Sequence, residues 1–185
     1  MNSKFERYEQ FDDHVILIVN TSNGQESFEA SFLLGCDGGR STVRQQLGIE
    51  WEGSTYEQRW LIADLIGRTS PFRHTRTYCD PQRPAIRLPG PQSTVRYEFM
   101  LKPGETPESV LPDSQVRAMI AQREPSDVGL TILRKVVYTF HARIAKSWRV
   151  QRVLIAGDAA HLTPPFAGQG MNSGVRDASN LAWKL

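Results

Sequence analysis

Two glycine-containing segments, each lying between a β-rich run and a helical stretch, restrict the fold of this chain more than any other feature. The first, Gly35-Cys36-Asp37-Gly38, precedes the short helical stretch Thr42–Leu47. The second begins at Gly157-Asp158, directly after the apolar run 152–156. Glycines placed there let the backbone approach a ligand, and the amides at a helix start attract negative charge. The sequence predicts two ligand-binding turns, although a purely structural Asp-Gly turn explains the first equally well.

The chain has three parts that differ in their residue patterns. Residues 1–50 hold a predicted β-hairpin, the first turn and a short helix. Residues 51–145 alternate in the manner of an antiparallel sheet, with one predicted helix at Ser114–Arg123. Residues 146–185 return to strand, loop and helix, which predicts a mixed α/β and α+β fold. The apolar residues that share one face of the last helix are Val175, Ala178, Leu181, Ala182 and Leu185.

Composition excludes several classes of protein. With 39% hydrophobic and 23% charged residues, the chain is globular and not disordered. The longest aliphatic run, Val15–Val19, is far shorter than the roughly 20 residues of a membrane-spanning helix. The net charge is only +2 and the basic residues are scattered, so nucleic-acid binding is not expected. Cys36 and Cys79 form neither a disulfide framework nor a metal knuckle, which favours a reducing, cytoplasmic location.

The segment that begins at the second turn does not match three other kinds of site. A dinucleotide fingerprint fails because Gly168, Gly170 and Gly174 are spaced one residue too widely. A metal site at Asp158 and His161 lacks a third ligand nearby in sequence. A nucleophile elbow lacks its serine. We therefore interpret His161 as a structural residue whose side chain is satisfied within the protein.

Two motifs identify a family that this chain resembles. Residues 152–185, RVLIAGDAAHLTPPFAGQGMNSGVRDASNLAWKL, resemble the second flavin-contacting motif of the FAD-dependent aromatic hydroxylases, the group A flavoprotein monooxygenases. Residues 35–49, GCDGGRSTVRQQLGI, resemble the Asp-Gly motif of the same family. The two motifs follow one another along this chain in the same order as in the family, with a β-rich segment between them. Strings of the insert, such as YEFMLKPGETPE at 97–108, are most similar to members that hydroxylate 3-(3-hydroxyphenyl)propionate.

The resemblance implies both a domain organisation and a cofactor site. Residues 1–50 and 146–185 would be parts of a Rossmann-like FAD-binding domain, and 51–145 a mainly antiparallel substrate-binding domain. Asp158 would bond a ribityl hydroxyl of FAD, and amides at the start of the last helix would meet the flavin pyrimidine edge. For Arg44, a solvated charge at a helix end is the alternative. The residues assigned to the cofactor are Asp37, Gly38, Arg44, Gly157, Asp158, Pro164, Pro165, Gly168, Gly170, Met171 and Asn172.

The chemistry implied by the resemblance is that of the flavin. NADH or NADPH would reduce FAD, and oxygen would then form a flavin hydroperoxide that hydroxylates a phenolic acid ortho to its hydroxyl. Arg87 or Arg96 could pair with a substrate carboxylate, although a surface charge is the simpler interpretation of each. The implied partners are a phenol and oxygen, without nucleic acid or membrane, and a homo-oligomer stays open.

One departure from the family concerns the cofactor. Its G-x-G-x-x-G string, which binds the FAD pyrophosphate, occurs nowhere in the 185 residues. We therefore expect a fragment of a flavin hydroxylase that alone is inactive and binds FAD weakly or not at all. The alternatives are a flavoprotein of the same fold that acts on another phenol or a polyketide, and a catalytically inactive remnant or binding module.

Overall fold

The chain forms two compact units, which are described separately below. One unit consists of Met1–Thr55 and His141–Leu185, and the other of Tyr56–Phe140. The division falls within two long strands, each of which passes from one unit into the other. The computed structural model describes residues 2–67, 74–164 and 168–185. Within those ranges, none of the helices has the length and apolar character needed to cross a membrane.

Strands predominate over helices in the described residues. The strands are β1 (Lys4–Gln10), β2 (Val15–Thr21), β3 (Gly24–Ala30), β4 (Leu33–Gly35), β5 (Trp51–Ile66), β6 (Arg76–Tyr78), β7 (Ala85–Pro89), β8 (Thr94–Met100), β9 (Thr131–Ala145), β10 (Arg149–Val150), β11 (Val153–Ile155) and β12 (His161–Leu162). The helices are α1 (Thr42–Gln46), α2 (Pro107–Val110), α3 (Asp113–Ala121) and α4 (Gln169–Ala182), with 3₁₀ turns at Pro125–Asp127 and Gly157–Ala159. The mixed fold with mostly antiparallel sheets that the sequence predicts is confirmed.

The first unit begins with a three-stranded antiparallel sheet in the order β1-β2-β3. The predicted hairpin is confirmed for β2 and β3; the sequence also predicts that its second strand continues to Gly35, which is wrong, because β3 ends at Ala30. The amide of Leu33 instead bonds the carbonyl of Arg152, because β4 belongs to a different sheet. This change of sheet also shifts the alternation, so that Leu33 is buried whereas Leu34 is exposed.

A small second sheet in the order β10-β11-β4 carries both glycine turns. Strands β4 and β11 run parallel, with Val153 opposite Leu33 and Ile155 opposite Gly35. Val43 of α1 packs in the same core as these strands. A Cβ added to Gly35 would lie 2.8 Å from Cβ of Val43, so only glycine permits the close packing of α1 on β4.

The second unit is built around strands in the order β9-β5-β8-β7-β6, which form most of the largest sheet, and β5, β8, β7 and β6 pair antiparallel. Helix α3 lies one residue earlier at its start and two earlier at its end than the sequence predicts. Its residues Val116 and Ile120 are fully buried in one core with Leu61, Tyr97 and Phe99 of the sheet. Each fully buried aliphatic side chain contributes about 1.5–3 kcal/mol relative to an exposed one.

Candidate functional site

The two glycine turns lie at the same edge of the small sheet in the first unit. Because β4 and β11 are parallel neighbours, their carboxyl ends meet there, and the amide of Ala156 bonds the carbonyl of Gly35 at 3.1 Å. Gly38 and Gly157 have φ values of +81° and +59°, a region that favours glycine. A Cβ added to either would meet no atom within 4 Å. The backbone of both turns is thus open to a ligand, which fits the approach of a flat cofactor.

The side chain of Asp37 caps helix α1. Its Oδ2 accepts hydrogen bonds from the amides of Thr42 at 2.7 Å and Val43 at 3.1 Å. The hydroxyl of Ser41 accepts another from the amide of Arg44 at 2.9 Å. These bonds satisfy the start of the helix and shape the first turn. The observed role of Asp37 is therefore to position the turn, and a direct contact with a cofactor stays a prediction.

Arg44 is buried and joins the two turns. Its guanidinium donates to the carbonyl of Ala159 and to the carbonyl of Gly39, both at 3.2 Å. It also lies 4.0 Å from the ring centroid of Trp51. Desolvation lowers the pKa of this guanidinium, an effect that the nearby Asp37 partly offsets. With only 4% of Arg44 exposed, the interpretation of this residue as a solvated helix-end charge is wrong.

Asp158 presents an exposed side chain at the second turn. The 3₁₀ turn Gly157–Ala159 is closed by a bond of 2.8 Å from the amide of Ala160 to the carbonyl of Gly157. Within the described residues, the Asp158 carboxylate makes no hydrogen bond or ion pair. A short acceptor of this kind, held on a rigid turn, is suited to bonding a ligand hydroxyl.

Asp177 of α4 anchors the second turn, although it was not among the residues that the sequence analysis assigned to the cofactor. Its Oδ2 accepts a bond of 2.8 Å from the amide of Gly157 and lies 2.6 Å from Nε2 of His161. The buried His161 ring also lies against Trp148, with 5.4 Å between the ring centroids. The interpretation of His161 as a satisfied structural residue is confirmed. Sequence reasoning missed Asp177, because an acid among the several polar residues of this helix carries no local signal of its partners.

A metal centre has no support among the described residues. No group of three or more His, Cys, Asp or Glu side chains that could hold an ion lies in those parts of the chain. His161 pairs with Asp177 and not with Asp158, the residue that the sequence places beside it.

Helix α4 begins at the predicted place, but its apolar face is exposed. Gly168 precedes it with φ +61°, and among residues 2–67, 74–164 and 168–185 no side chain is seen to cap its first turn. The backbone positions 170–172 therefore lie at an uncapped helix start, the place assigned to the flavin edge, and Met171 is 78% exposed. Val175 is also largely exposed. Pro164 lies half-buried just before the loop, whereas Pro165 lies outside the described residues.

In the second unit, Arg87 and Arg96 both pair with carboxylates of the protein. Arg87 is 2% exposed, and its Nε lies 2.9 Å from Oδ2 of Asp127, so the interpretation of Arg87 as a surface charge is wrong. Arg96 contacts Asp64 at 2.7 and 3.1 Å. Tyr97 completes the buried group by donating to Asp127 at 2.6 Å. Both guanidinium groups are thus engaged by the chain, which leaves neither as an unpaired partner for a substrate carboxylate.

Glu98 is a buried acid that the sequence pattern did not reveal. Alternation along β8 assigns Tyr97 and Phe99 to the core and Glu98 to the opposite face, yet only 6% of Glu98 is exposed. The register places it between Ile62 and Ile86. Burial raises the pKa of this carboxyl. Its carboxylate has no hydrogen-bond partner within the described parts of the chain.

Comparisons with known proteins agree with this geometry. The 3-(3-hydroxy-phenyl)propionate/3-hydroxycinnamic acid hydroxylase of Escherichia coli strain K12 is 42% identical over 98% of this chain. That match spans 33% of the relative, so the chain corresponds to a third of its length. Among solved structures, aklavinone-11 hydroxylase in complex with FAD and aklavinone has a TM-score of 0.88 and 28% identity, over 98% of this chain and 36% of its own.

A second solved structure leads to the same family. The p-nitrophenol 4-monooxygenase of Pseudomonas putida DLL-E4 has a TM-score of 0.85 and 27% identity, over 98% of this chain and 47% of its own. The domain family matched across residues 1–185 is described as an FAD binding domain. The resemblance inferred from the two glycine motifs is confirmed, and the chain belongs to the FAD-binding domain family found in the flavin-dependent aromatic hydroxylases.

Proposed function

We propose that this chain serves in a flavin-dependent monooxygenase and contributes the part of the site that holds the ribityl chain and ring of FAD. The observation that carries the proposal is the meeting of the two glycine turns at one edge of the parallel pair β4 and β11. Arg44 ties these turns together through the carbonyl of Ala159. The names of the relatives, hydroxylases and monooxygenases of aromatic compounds, support the reaction class.

The residues of the chain would divide the work of binding FAD. Asp158 would accept a hydrogen bond from a ribityl hydroxyl, and the open backbone at Gly38 and Gly157 would let the cofactor approach closely. The amides of 170–172 would face the pyrimidine edge, where the positive end of α4 favours negative charge. The loop through Pro164, Pro165 and Gly168 would restrict the space beside the ring. When bound, FAD supplies the redox chemistry with NADH or NADPH and oxygen.

The substrate that we propose is a phenolic acid such as 3-(3-hydroxyphenyl)propionate, hydroxylated ortho to its hydroxyl. The 42% identity to the E. coli hydroxylase over nearly the whole chain supports it. Another phenol or a polyketide is the alternative, and the similarity to aklavinone-11 hydroxylase, whose structure holds aklavinone, supports it. A cytoplasmic location and a homo-oligomeric state remain predictions.

Purification of the protein that carries this sequence tests the proposal. We expect a yellow protein that oxidises NADH or NADPH faster in the presence of 3-(3-hydroxyphenyl)propionate and releases the catechol product. Faster turnover with a polycyclic phenol would favour the alternative substrate. A colourless protein without phenol-stimulated oxidation would contradict both.

The 185-residue chain alone gives a separate test, because it lacks the pyrophosphate-binding string. We expect FAD and riboflavin to bind it weakly and with affinities within about threefold of each other, since the adenine half adds few contacts. ADP should not compete with either flavin. Tight, stoichiometric binding of FAD would show that the pyrophosphate half is also recognised.

A further inference from the structure

One carboxylate oxygen of α4 holds two donors of the second glycine turn. Oδ2 of Asp177 accepts from the amide of Gly157 at 2.8 Å and lies 2.6 Å from Nε2 of His161. The Asp177 and His161 side chains are only 12% and 10% exposed. Removal of the carboxylate would therefore leave a largely buried imidazole and a half-buried amide without their partner, which costs more than the bonds themselves contribute.

The same part of α4 approaches the turn at a second point. A Cβ added to Gly174 would lie 3.7 Å from Cα of Gly157, so the helix backbone passes close to the turn. Gly174 and Asp177 are three residues apart and lie on one face of the helix. These two contacts set the position of α4 along the turn. They therefore also set the separation between Asp158 and the amides at the start of the helix.

The charge of Asp177 also reaches the first turn. Burial raises the pKa of the Cys36 thiol, and the negative charges of Asp37 and Asp177 raise it further. The carboxylate thus lies near both turns, although it is 20 residues from Gly157 in sequence.

We infer that Asp177 is a positioning residue of the flavin site. It fixes the left-handed conformation of Gly157, and through it the placement of Asp158, relative to the start of α4. This inference rests on the proposed function, because Asp158 matters only if it contacts the ribityl chain. Asp177 itself touches no cofactor atom in this scheme and acts through Gly157 and His161.

Amide hydrogen exchange of the 185-residue chain tests the inference without any flavin. We expect Asp177→Ala to speed exchange at Gly157 and Ala160 about tenfold or more, with little change in the β2–β3 hairpin. Asp177→Asn keeps the shape of the side chain and one acceptor oxygen, so it should speed exchange less. It replaces Asp177→Ala in the experiment if the alanine variant does not fold. Asp113→Ala, which removes an exposed carboxylate bound to Lys135, is the matched control. Unchanged exchange at Gly157 in Asp177→Ala would overturn the inference.

Flavin titration of the flavin-free form of the protein that carries this sequence then separates positioning from general stability. Asp177→Asn and Asp158→Ala should each weaken FAD binding about tenfold, and the double variant should be no weaker than Asp158→Ala alone. Additive losses in the double variant would contradict action through Asp158. If wild-type protein binds no flavin while the exchange result holds, the proposed function fails and the anchoring of the turn stands.

Discussion

Arg44 reaches Ala159, which lies 115 residues further along the chain, and donates a hydrogen bond of 3.2 Å to its carbonyl oxygen. The same guanidinium bonds Gly39 in the first turn. One buried side chain therefore connects two segments that sequence motifs identify separately. The connection explains why Arg44 is buried next to Val43 in a short helix whose other residues are exposed.

Substitution of Arg44, which makes this connection, should destabilise the first unit. We expect Arg44→Met to lower the free energy of unfolding by about 2–3 kcal/mol, because two backbone carbonyls lose charged donors. Arg44→Lys should recover only part of the loss, since one ammonium does not reproduce the planar fork. Urea unfolding followed by tryptophan fluorescence measures both. Arg40→Met, an exposed change in the same segment, is the control, and an equal loss there would refute a specific role for Arg44.

Asp158 should affect flavin binding without affecting stability. Its carboxylate is exposed and makes no bond in the described structure, so Asp158→Ala should change the free energy of unfolding by less than about 0.5 kcal/mol. The affinity for FAD should fall about tenfold, the value of one hydrogen bond to a charged acceptor. Isothermal titration and thermal melts of the same preparations give the two quantities. Glu29→Ala is the control, and a variant with wild-type affinity would remove Asp158 from the site.

The buried group of Arg87, Tyr97 and Asp127 should be sensitive to the loss of one member. We expect Asp127→Asn to cost about 3 kcal/mol, because the change leaves the Arg87 charge without its counterion in the core. Replacement of both charges, as Arg87→Met with Asp127→Leu, should cost less than the single change. Chemical denaturation measures these differences. Asp113→Asn breaks an exposed ion pair and should cost less than about 1 kcal/mol.

Glu98 should make stability depend on pH. Burial, opposed by a smaller effect of Arg96, raises the pKa of this carboxyl in the folded state. The contribution of Glu98 to the free energy of unfolding is complete below its pKa in the unfolded chain, about 4.3. It is lost as the pH rises through the higher pKa that Glu98 has in the folded protein. Glu98→Gln should therefore stabilise the protein at pH 7 by about 1 kcal/mol and reduce the loss of stability between pH 4 and 7. Unfolding at a series of pH values, with Glu29→Gln as control, checks this, and an unchanged profile would contradict it.

Local patterns in the sequence were sufficient to predict several elements of the fold. The glycine turns, the β2–β3 hairpin and helix α3 with its buried Val116 and Ile120 all follow from turn chemistry and periodicity. The order of the two motifs was also sufficient to identify the family. These features depend on residues close together in the chain, where steric limits on the backbone act directly.

Tertiary structure alone decided which charged residues are buried. From the sequence, a solvated charge was the alternative for Arg44 and the simpler interpretation for Arg87, and alternation places Glu98 opposite the core face, yet all three side chains are buried. The partner of His161 is likewise Asp177, 16 residues away, and not the nearer Asp158. Such pairs form only when the fold brings segments that are distant in sequence to one sheet edge or into one core. The residues around each partner do not show which distant segment it will contact. The sequence by itself determined the turns and the family, whereas the fold decided how the turns are held.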